Sequence, residues 1–323
     1  MPCNKYFGLS RIYSNRQTSL RDNRDPKGAR LFTMEKKRYI LPVVTAIAGV
    51  LALILRVFQL LVVVDYSEMG FFDSSAGFFS ANGLYLLLFI VLIALTVGAI
   101  IDKRRQSTAF SRPSASLTSK QTAILGFAFL AGACLRLYEL VFRFNGFGLS
   151  FIGEALIFVV FTAIGFIVLG SRRLRPSVGY LHIVICISYT LKAASLFMQD
   201  TIIIRVSDEL LLLLSYVCSV LFFLALGRFI ASNESKLTRY KLLIFGGLTA
   251  AFSICSSLAG YVALLIDSEY IGKHMAMHPL SETGSAVVAV TLIILMYNKN
   301  FLPAVVDSHE DGEDNESYER TAD

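Results

Sequence analysis

Charged residues are scarce in this chain, and their scarcity indicates the class of protein. Only 17% of the residues are Asp, Glu, Lys or Arg, whereas 55% are hydrophobic and the mean hydropathy is +0.61. A soluble chain of 323 residues would be about one quarter charged. The composition therefore argues against an ordinary soluble protein and favours an integral membrane protein.

Several residue types and motifs that would indicate particular chemistry are also missing. The chain has no tryptophan, so tyrosine and phenylalanine must form the aromatic belts at the membrane surfaces. Its five cysteines form no CxxC pair, which favours small buried thiols over a disulfide framework or a zinc site. No P-loop, HExxH, GxSxG or Rossmann glycine pattern occurs. We therefore predict no catalytic residue and no cofactor, and we do not expect an enzyme.

Long apolar runs are what the chain has in place of charge. A helix needs about 20 apolar residues to cross a bilayer. Helices satisfy their own backbone hydrogen bonds in lipid, and the runs lack the period-two alternation of a β-barrel. The sequence thus predicts an all-α integral membrane protein with eight transmembrane helices. The predicted spans are about 39–64, 81–101, 122–143, 150–170, 178–198, 208–231, 241–266 and 281–298.

Basic residues are concentrated in alternate loops. Residues 1–38 hold ten Lys or Arg against three Asp or Glu, and loop 102–121 is also basic, whereas loop 65–80 has no Lys or Arg. By the positive-inside rule, both termini are predicted to be cytoplasmic. The net charge of +6 then reflects topology rather than a nucleic-acid partner. We expect a multi-pass protein of the plasma membrane, with the lipid bilayer as its surroundings.

The two ends of the chain differ from the predicted transmembrane domain, 39–298. Residues 1–38 are polar and basic, and we expect them to be disordered. Met34 opens a stretch typical of a bacterial membrane protein's start, so residues 1–33 are either an upstream start assignment or a genuine basic tail. Residues 299–323 form an acidic tail with eight Asp or Glu, which we expect to be disordered in the cytoplasm.

A two-helix unit occurs four times in the sequence. Each copy places a polar or basic residue late in one span and a polar or acidic residue early in the next. The clearest copies are LRLYEL from Leu135 with GEALIF from Gly153, and LKAASL from Leu191 with DELLLL from Asp208. Repeats with an even number of spans keep one orientation, which predicts four parallel hairpins. These hairpins cover about 39–101, 122–170, 178–231 and 241–298.

The repeated charges are the candidate site, because charge inside a bilayer is costly and commonly functional. Asn82 takes the carboxylate position in the first copy, and Ser256 takes the basic position in the fourth. Hairpin spacing favours two ion pairs, one in the second copy and one in the third. The candidate residues are Arg56, Arg136, Lys192, Glu154, Glu209 and Glu282, with Arg136 paired to Glu154 and Lys192 to Glu209.

Two functions of different classes are preferred for these charges, and a lipid-modifying enzyme is a less favoured third class. In the first, the protein transports or senses a small anionic or zwitterionic solute from the outer face, and Arg136 and Lys192 hold its anionic group. The carboxylates then pair with these cations or take a proton. In the second, the protein is a non-catalytic structural or partner-binding membrane protein, and the charges are internal ion pairs or snorkelling side chains. A homo-oligomer and a membrane partner both remain open.

Histidines supply one further candidate. His274 and His278 lie four residues apart in the loop 267–279, with methionines between them, and this spacing suits a soft metal ion if the loop is helical. No acidic third ligand lies beside them, so an interfacial loop is the preferred interpretation and no metal site is predicted. His182 stands alone in the fifth span, where an internal hydrogen bond is expected.

Overall fold

The structure is a computed structural model that describes most of the predicted transmembrane domain. Apart from Ile40, the described residues belong to one compact unit, Leu41–Asp323. They comprise residues 40–65, 71–72, 78–105, 119–142, 147–171, 175–199, 208–231, 236–266 and 280–297. Both tails and most of the linker 107–119 lie outside these ranges, so the predictions made for them stay predictions.

The described residues form nine α-helices, two short π-helical segments and one pair of two-residue strands. The strands β1 (Val64–Asp65) and β2 (Phe71–Phe72) pair antiparallel. The π-helical segments are π1 (Gln59–Val63) and π2 (Ile254–Leu258). The α-helices are α1 (Ile40–Phe58), α2 (Phe78–Arg105), α3 (Ser119–Phe142), α4 (Leu149–Ser171), α5 (Pro176–Gln199), α6 (Asp208–Ile230), α7 (Lys236–Ser253), α8 (Ala259–Ile266) and α9 (Glu282–Tyr297).

Each predicted apolar run is helical over most of its length. This is expected in lipid, where the backbone must form its own hydrogen bonds. Five helical stretches in the described part of the chain are long and apolar enough to cross a membrane: α3, α4, α5, α6 and the continuous stretch Tyr240–Ile266. Three further apolar stretches are shorter, namely Gly49–Val63, Asn82–Gly98 and Glu282–Met296. The chain is therefore a helical membrane protein, while the count of eight spans stays a prediction.

Six of the helices contact one another in a closed cycle. Following the chain, α3 packs on α4, α4 on α5, α5 on α6, α6 on α7, and α7 on α9. The cycle closes because α9 also packs on α3. The first predicted hairpin contributes α2, which packs against α7, and π1, which contacts α8. Hairpins two, three and four thus surround a common interior, and the first hairpin is attached to the fourth.

Glycine allows the backbones of neighbouring helices to touch at two crossings. A Cβ atom added at Gly284 of α9 would lie 2.8 Å from the Cα atom of Gly132 of α3. At the crossing of α5 and α6, a Cβ atom on Gly179 would lie 2.7 Å from the carbonyl oxygen of Gly227. Small residues permit this close packing in membrane helices, where packing rather than the hydrophobic effect holds helices together. The Gly132–Gly284 contact closes the cycle of six helices.

The interior of the cycle is apolar and aromatic at most levels. Phe129, Phe161, Phe222 and Phe223 are fully buried, and their rings meet edge to face across three helices. Large apolar side chains cover the outer faces of the same helices, as lipid contact requires. A polar layer inside this apolar unit is therefore unusual, and it defines the candidate site.

The cysteine prediction holds only in part. Cys218 and Cys255 are buried, and Cys186 is half-buried. Cys134, however, is exposed on the outside of α3. The apolar run around Cys134 does not distinguish the lipid-facing side of a helix from its buried side, which is why the sequence suggested a buried thiol there.

Candidate functional site

Four buried side chains form a row of alternating charge. The Nη1 atom of Arg136 lies 2.8 Å from Oε1 of Glu154, and the Nζ atom of Lys192 lies 2.5 Å from Oε2 of the same carboxylate. The Lys192 ammonium also lies 2.5 Å from Oε1 of Glu282. The order is cation, anion, cation, anion, so the row has no net formal charge.

The row joins helices of three hairpins. Arg136 lies on α3 and Glu154 on α4, so this ion pair lies within the second hairpin. Lys192 on α5 connects the third hairpin to the second through Glu154 and to the fourth through Glu282 of α9. The closed packing of the six helices brings these four side chains together.

Hydroxyl groups extend the network around the guanidinium group. The Nη2 atom of Arg136 donates to the Tyr189 hydroxyl at 2.5 Å and to Oγ of Ser285 at 2.9 Å. The hydroxyls of Tyr189 and Ser285 also contact each other. Because Tyr189 lies on α5 and Ser285 on α9, Arg136 contacts all three hairpins.

Aromatic rings surround the two cations. The guanidinium carbon of Arg136 lies 4.9 Å from the ring centre of Phe161 and 5.5 Å from that of Tyr189. The Lys192 nitrogen lies 4.9 Å from the ring centre of Tyr216 on α6. A desolvated cation over an aromatic face gains about 2 kcal/mol. These rings therefore partly replace the water that both cations lose.

Burial makes the pairing of these charges obligatory. The side chains of Arg136, Lys192 and Glu282 are at most 2% exposed, and that of Glu154 is 7% exposed. An isolated charge in such surroundings is very unfavourable, whereas a charge with two opposite partners loses much less free energy. Glu154 and Lys192 each contact two side chains of opposite charge, so these two residues link the row together.

Two polar atoms of the network have spare hydrogen-bonding capacity. Among the described residues, neither Oε2 of Glu282 nor Nε of Arg136 has a hydrogen-bond partner, although both atoms are buried. Buried polar groups are nearly always hydrogen-bonded, so such atoms need an explanation. The carboxylate oxygen is an acceptor and the guanidinium nitrogen is a donor.

The structure brings together four of the six predicted site residues. Glu209 is half-buried near the start of α6, and it is not one of the two carboxylates that contact Lys192. Glu154 and Glu282 hold that position because α5 packs on α4 and the network reaches across to α9. Arg56 is buried on α1, where its Nη1 atom donates to Oε1 of Gln59 at 3.1 Å. This hydrogen bond joins α1 to the adjoining π1.

Of the three histidines considered from the sequence, His182 alone lies within the described residues. His274 and His278 lie outside the described residues, and no group of three or more metal-binding side chains occurs within the described ranges. His182 is buried in α5, where its Nδ1 atom lies 2.9 Å from the carbonyl oxygen of Val178. This contact is the internal hydrogen bond that the sequence predicted for His182.

Three contributors to the site were not predicted from the sequence: Tyr189, Tyr216 and Ser285. Tyr189 precedes Lys192 by three residues, and Ser285 follows Glu282 by three residues. Residues three apart share a helix face, so polar side chains at that spacing from a buried charge are a usable signal. Tyr216 follows Glu209 by seven residues and offers no comparable signal, because its contact with Lys192 depends on the packing of α6 on α5.

Comparison with protein-family models, with curated proteins and with solved structures gives no match. The fold and composition define a helical membrane protein with a charged network in its interior.

Proposed function

We propose that this membrane protein binds a small anionic or zwitterionic solute and transports or senses it. The observation that carries the proposal is the position of the network, which extends beyond the Arg136–Glu154 pair of the second hairpin and connects three hairpins through Lys192. An ion pair that only stabilises a hairpin needs no partner on another hairpin. A network across several hairpins is able to couple their relative positions to the state of one central site.

The row of charges also has the chemistry that such a solute requires. Arg136 presents a planar guanidinium group, which suits carboxylate and phosphate oxygens. Lys192 presents a point charge between two carboxylates. A solute carboxylate would take the place of Glu282 or Glu154 beside one of these cations, and a solute ammonium would pair with the carboxylate that is released. In this proposal the internal ion pairs are those of the solute-free state of the protein.

A second candidate function has its own support. All four charged side chains are almost fully buried and their charges balance, which is what a purely structural network requires. In that case the protein is a non-catalytic structural or partner-binding membrane protein, and the network holds the hairpins together. The two candidates differ in whether any small solute stabilises the folded protein.

The test is the thermal stability of the purified full-length protein in detergent with a panel of small probes. Glycine, L-glutamate and inorganic phosphate represent zwitterions and anions, and choline is the cationic control. We expect a saturable rise in melting temperature with at least one of the first three, because a ligand stabilises the state that binds it.

The matched variant is the double substitution Lys192→Gln with Glu282→Gln, which removes one charge of each sign and leaves no unpaired buried ion. It should remain folded but lose the solute-dependent rise. If none of the probes raises the melting temperature of the wild-type protein, and uptake of the same probes into proteoliposomes is also absent, the structural candidate replaces the proposal.

A further inference from the structure

The two carboxylates of the row differ in how many contacts hold them. Both oxygens of Glu154 contact a cation, Arg136 through Oε1 and Lys192 through Oε2. Glu282 contacts Lys192 through Oε1, and its buried Oε2 has no hydrogen-bond partner among the described residues. A proton on Oε2 of Glu282 would therefore break no contact of the row, whereas a proton on either oxygen of Glu154 would displace a cation. Glu282 is the carboxylate that can become neutral at the lower cost.

Three helices bring charged or titratable groups to Glu282. The groups that interact with it electrostatically are Arg136 of α3, Lys192 and Tyr189 of α5, and Tyr216 of α6. In addition, Oε2 of Glu139 on α3 accepts from the backbone N–H of Leu280 at 3.1 Å, just before α9 begins. The two cations are balanced by Glu154 and Glu282, so Glu282 is ionised in the row as it stands.

Within the described ranges, the stretch formed by α7 and π2 brings a hydroxyl rather than a charge to this end of α9. Oγ of Ser257 lies 2.8 Å from Oγ1 of Thr283. Cys255 of π2 packs instead in a cluster with residues of the first hairpin. The basic residues of α7 lie near its start and thus near the other end of the antiparallel α9, namely Lys236, Arg239 and Lys241. Only the row itself therefore balances the charge of Glu282.

This charge balance decides what must accompany a solute. A zwitterion adds no net charge, because its carboxylate replaces that of Glu282 beside Lys192 and its ammonium group pairs with Glu282. A monocarboxylate anion has no ammonium group and adds one negative charge to the buried row. An uncompensated buried charge is very unfavourable. A proton on Glu282 removes the excess charge and supplies an O–H group that can donate to the carboxylate of the solute.

We propose that the site takes up a small monocarboxylate anion together with one proton, and that Glu282 carries the proton. This inference rests on the proposed function and adds to it the class of solute and the coupling ion. The proton comes from the aqueous solution and forms an O–H bond at Oε2 of Glu282, while the solute takes the place of that carboxylate beside Lys192. A zwitterion binds at the same place without a proton.

Glycine and propionate are the matched probes, because they differ only in an ammonium group against a methyl group. Both carboxylates stay ionised between about pH 6 and pH 8. Titration calorimetry of the purified full-length protein in two buffers with different ionisation enthalpies counts the protons taken up on binding. We expect about one proton per propionate and none per glycine. By linkage, the affinity for propionate should fall about tenfold for each unit of rising pH, whereas that for glycine should stay constant.

Glu282→Gln places a neutral side chain where the proton would be bound. Propionate should then bind without proton uptake, and its affinity should no longer fall as the pH rises. Glu139→Gln is the matched control, because Glu139 is a half-buried carboxylate of α3 outside the row. Its amide oxygen can still accept from Leu280, and the count of about one proton per propionate should be retained.

The outcomes separate this inference from the proposed function. If the wild-type protein binds propionate without taking up a proton, or binds glycine, L-glutamate or phosphate but not propionate at pH 6, the inference is overturned and the proposed function stands. Proton uptake that persists in Glu282→Gln also overturns it. If none of these probes binds, the proposed function fails and the inference fails with it. The count on the wild-type protein decides the matter even where Glu282→Gln does not fold.

Discussion

At the scale of single residues, Glu154 has the most demanding role in the network. Each of its two oxygens contacts a different cation, Arg136 through Oε1 and Lys192 through Oε2. Spacing along the chain was enough to predict the contact with Arg136, because both residues face each other across one short hairpin. The same reasoning assigned Lys192 to Glu209, and the structure gives Lys192 two other carboxylates. Sequence separation within a hairpin contains no information about helices of other hairpins.

Glu154→Gln should strongly destabilise the protein. The substitution preserves the shape of the side chain but removes the carboxylate that lies between Arg136 and Lys192. The two buried cations are then left with a single carboxylate, that of Glu282, which contacts Lys192. Breaking a buried ion pair by removing one partner costs about 3–5 kcal/mol of unfolding free energy. Denaturation of the purified protein in detergent measures the loss.

Arg175→Gln is the control, because Arg175 is exposed at the start of α5 and its loss should change the stability little. A Glu154→Gln protein as stable as this control would show that the network is hydrated and contributes little to stability.

At the scale of helices, the contact between α3 and α9 decides whether the six-helix cycle closes. The predicted hairpins account for the pairing of α3 with α4 and of α5 with α6, since each pair is joined by a short connection. The contact of α9 with α3 is not of that kind, because α4, α5, α6, α7 and α8 all lie between the two helices in the chain. It depends on the close approach of Gly132 and Gly284 and on the bond from Arg136 to Ser285.

Gly284→Ala should therefore separate α3 from α9. The new methyl group would lie 2.8 Å from the Cα atom of Gly132, and backbone cannot move aside as a flexible side chain can. Overpacking of this kind costs about 1–3 kcal/mol, which the melting temperature in detergent will show.

Gly170→Ala is the matched control on α4, where no atom lies within 4 Å of the new Cβ position. Alanine should be neutral there or stabilising by about 0.5–1 kcal/mol, because glycine lowers helix stability. Equal effects of the two substitutions would mean that α3 and α9 are not in backbone contact.

At the scale of the whole molecule, the basic residues and the helical stretches together bear on the topology. The distribution of basic residues predicts that both termini and loop 102–121 are cytoplasmic, and that loop 65–80 is external. Only a chain with an even number of spans satisfies this arrangement. Five of the helical stretches have the required length and hydropathy within the described ranges, so the predicted count of eight spans depends on the three shorter ones.

Cysteine labelling on intact cells tests the topology directly. In a background without the native cysteines, a membrane-impermeant maleimide should label Ser74→Cys in the outer loop. It should label Ser107→Cys in the linker only after the cells are permeabilised. The reverse pattern would invert the protein in the membrane, and labelling of both positions from outside would remove a span from the first hairpin.

The sequence by itself determined the class of protein, the helical segments and most of the residues of the buried charged layer. These are local properties, because apolar runs of sufficient length must become helices in lipid and a charge within such a run is rare. Only the tertiary structure decided which charges meet, that Tyr189, Tyr216 and Ser285 join them, and that α9 returns to α3. Those contacts arise where helices from different hairpins cross, and the crossings depend on packing between residues that are far apart in the chain. The charged layer was therefore visible in the sequence, whereas its single connected network was not.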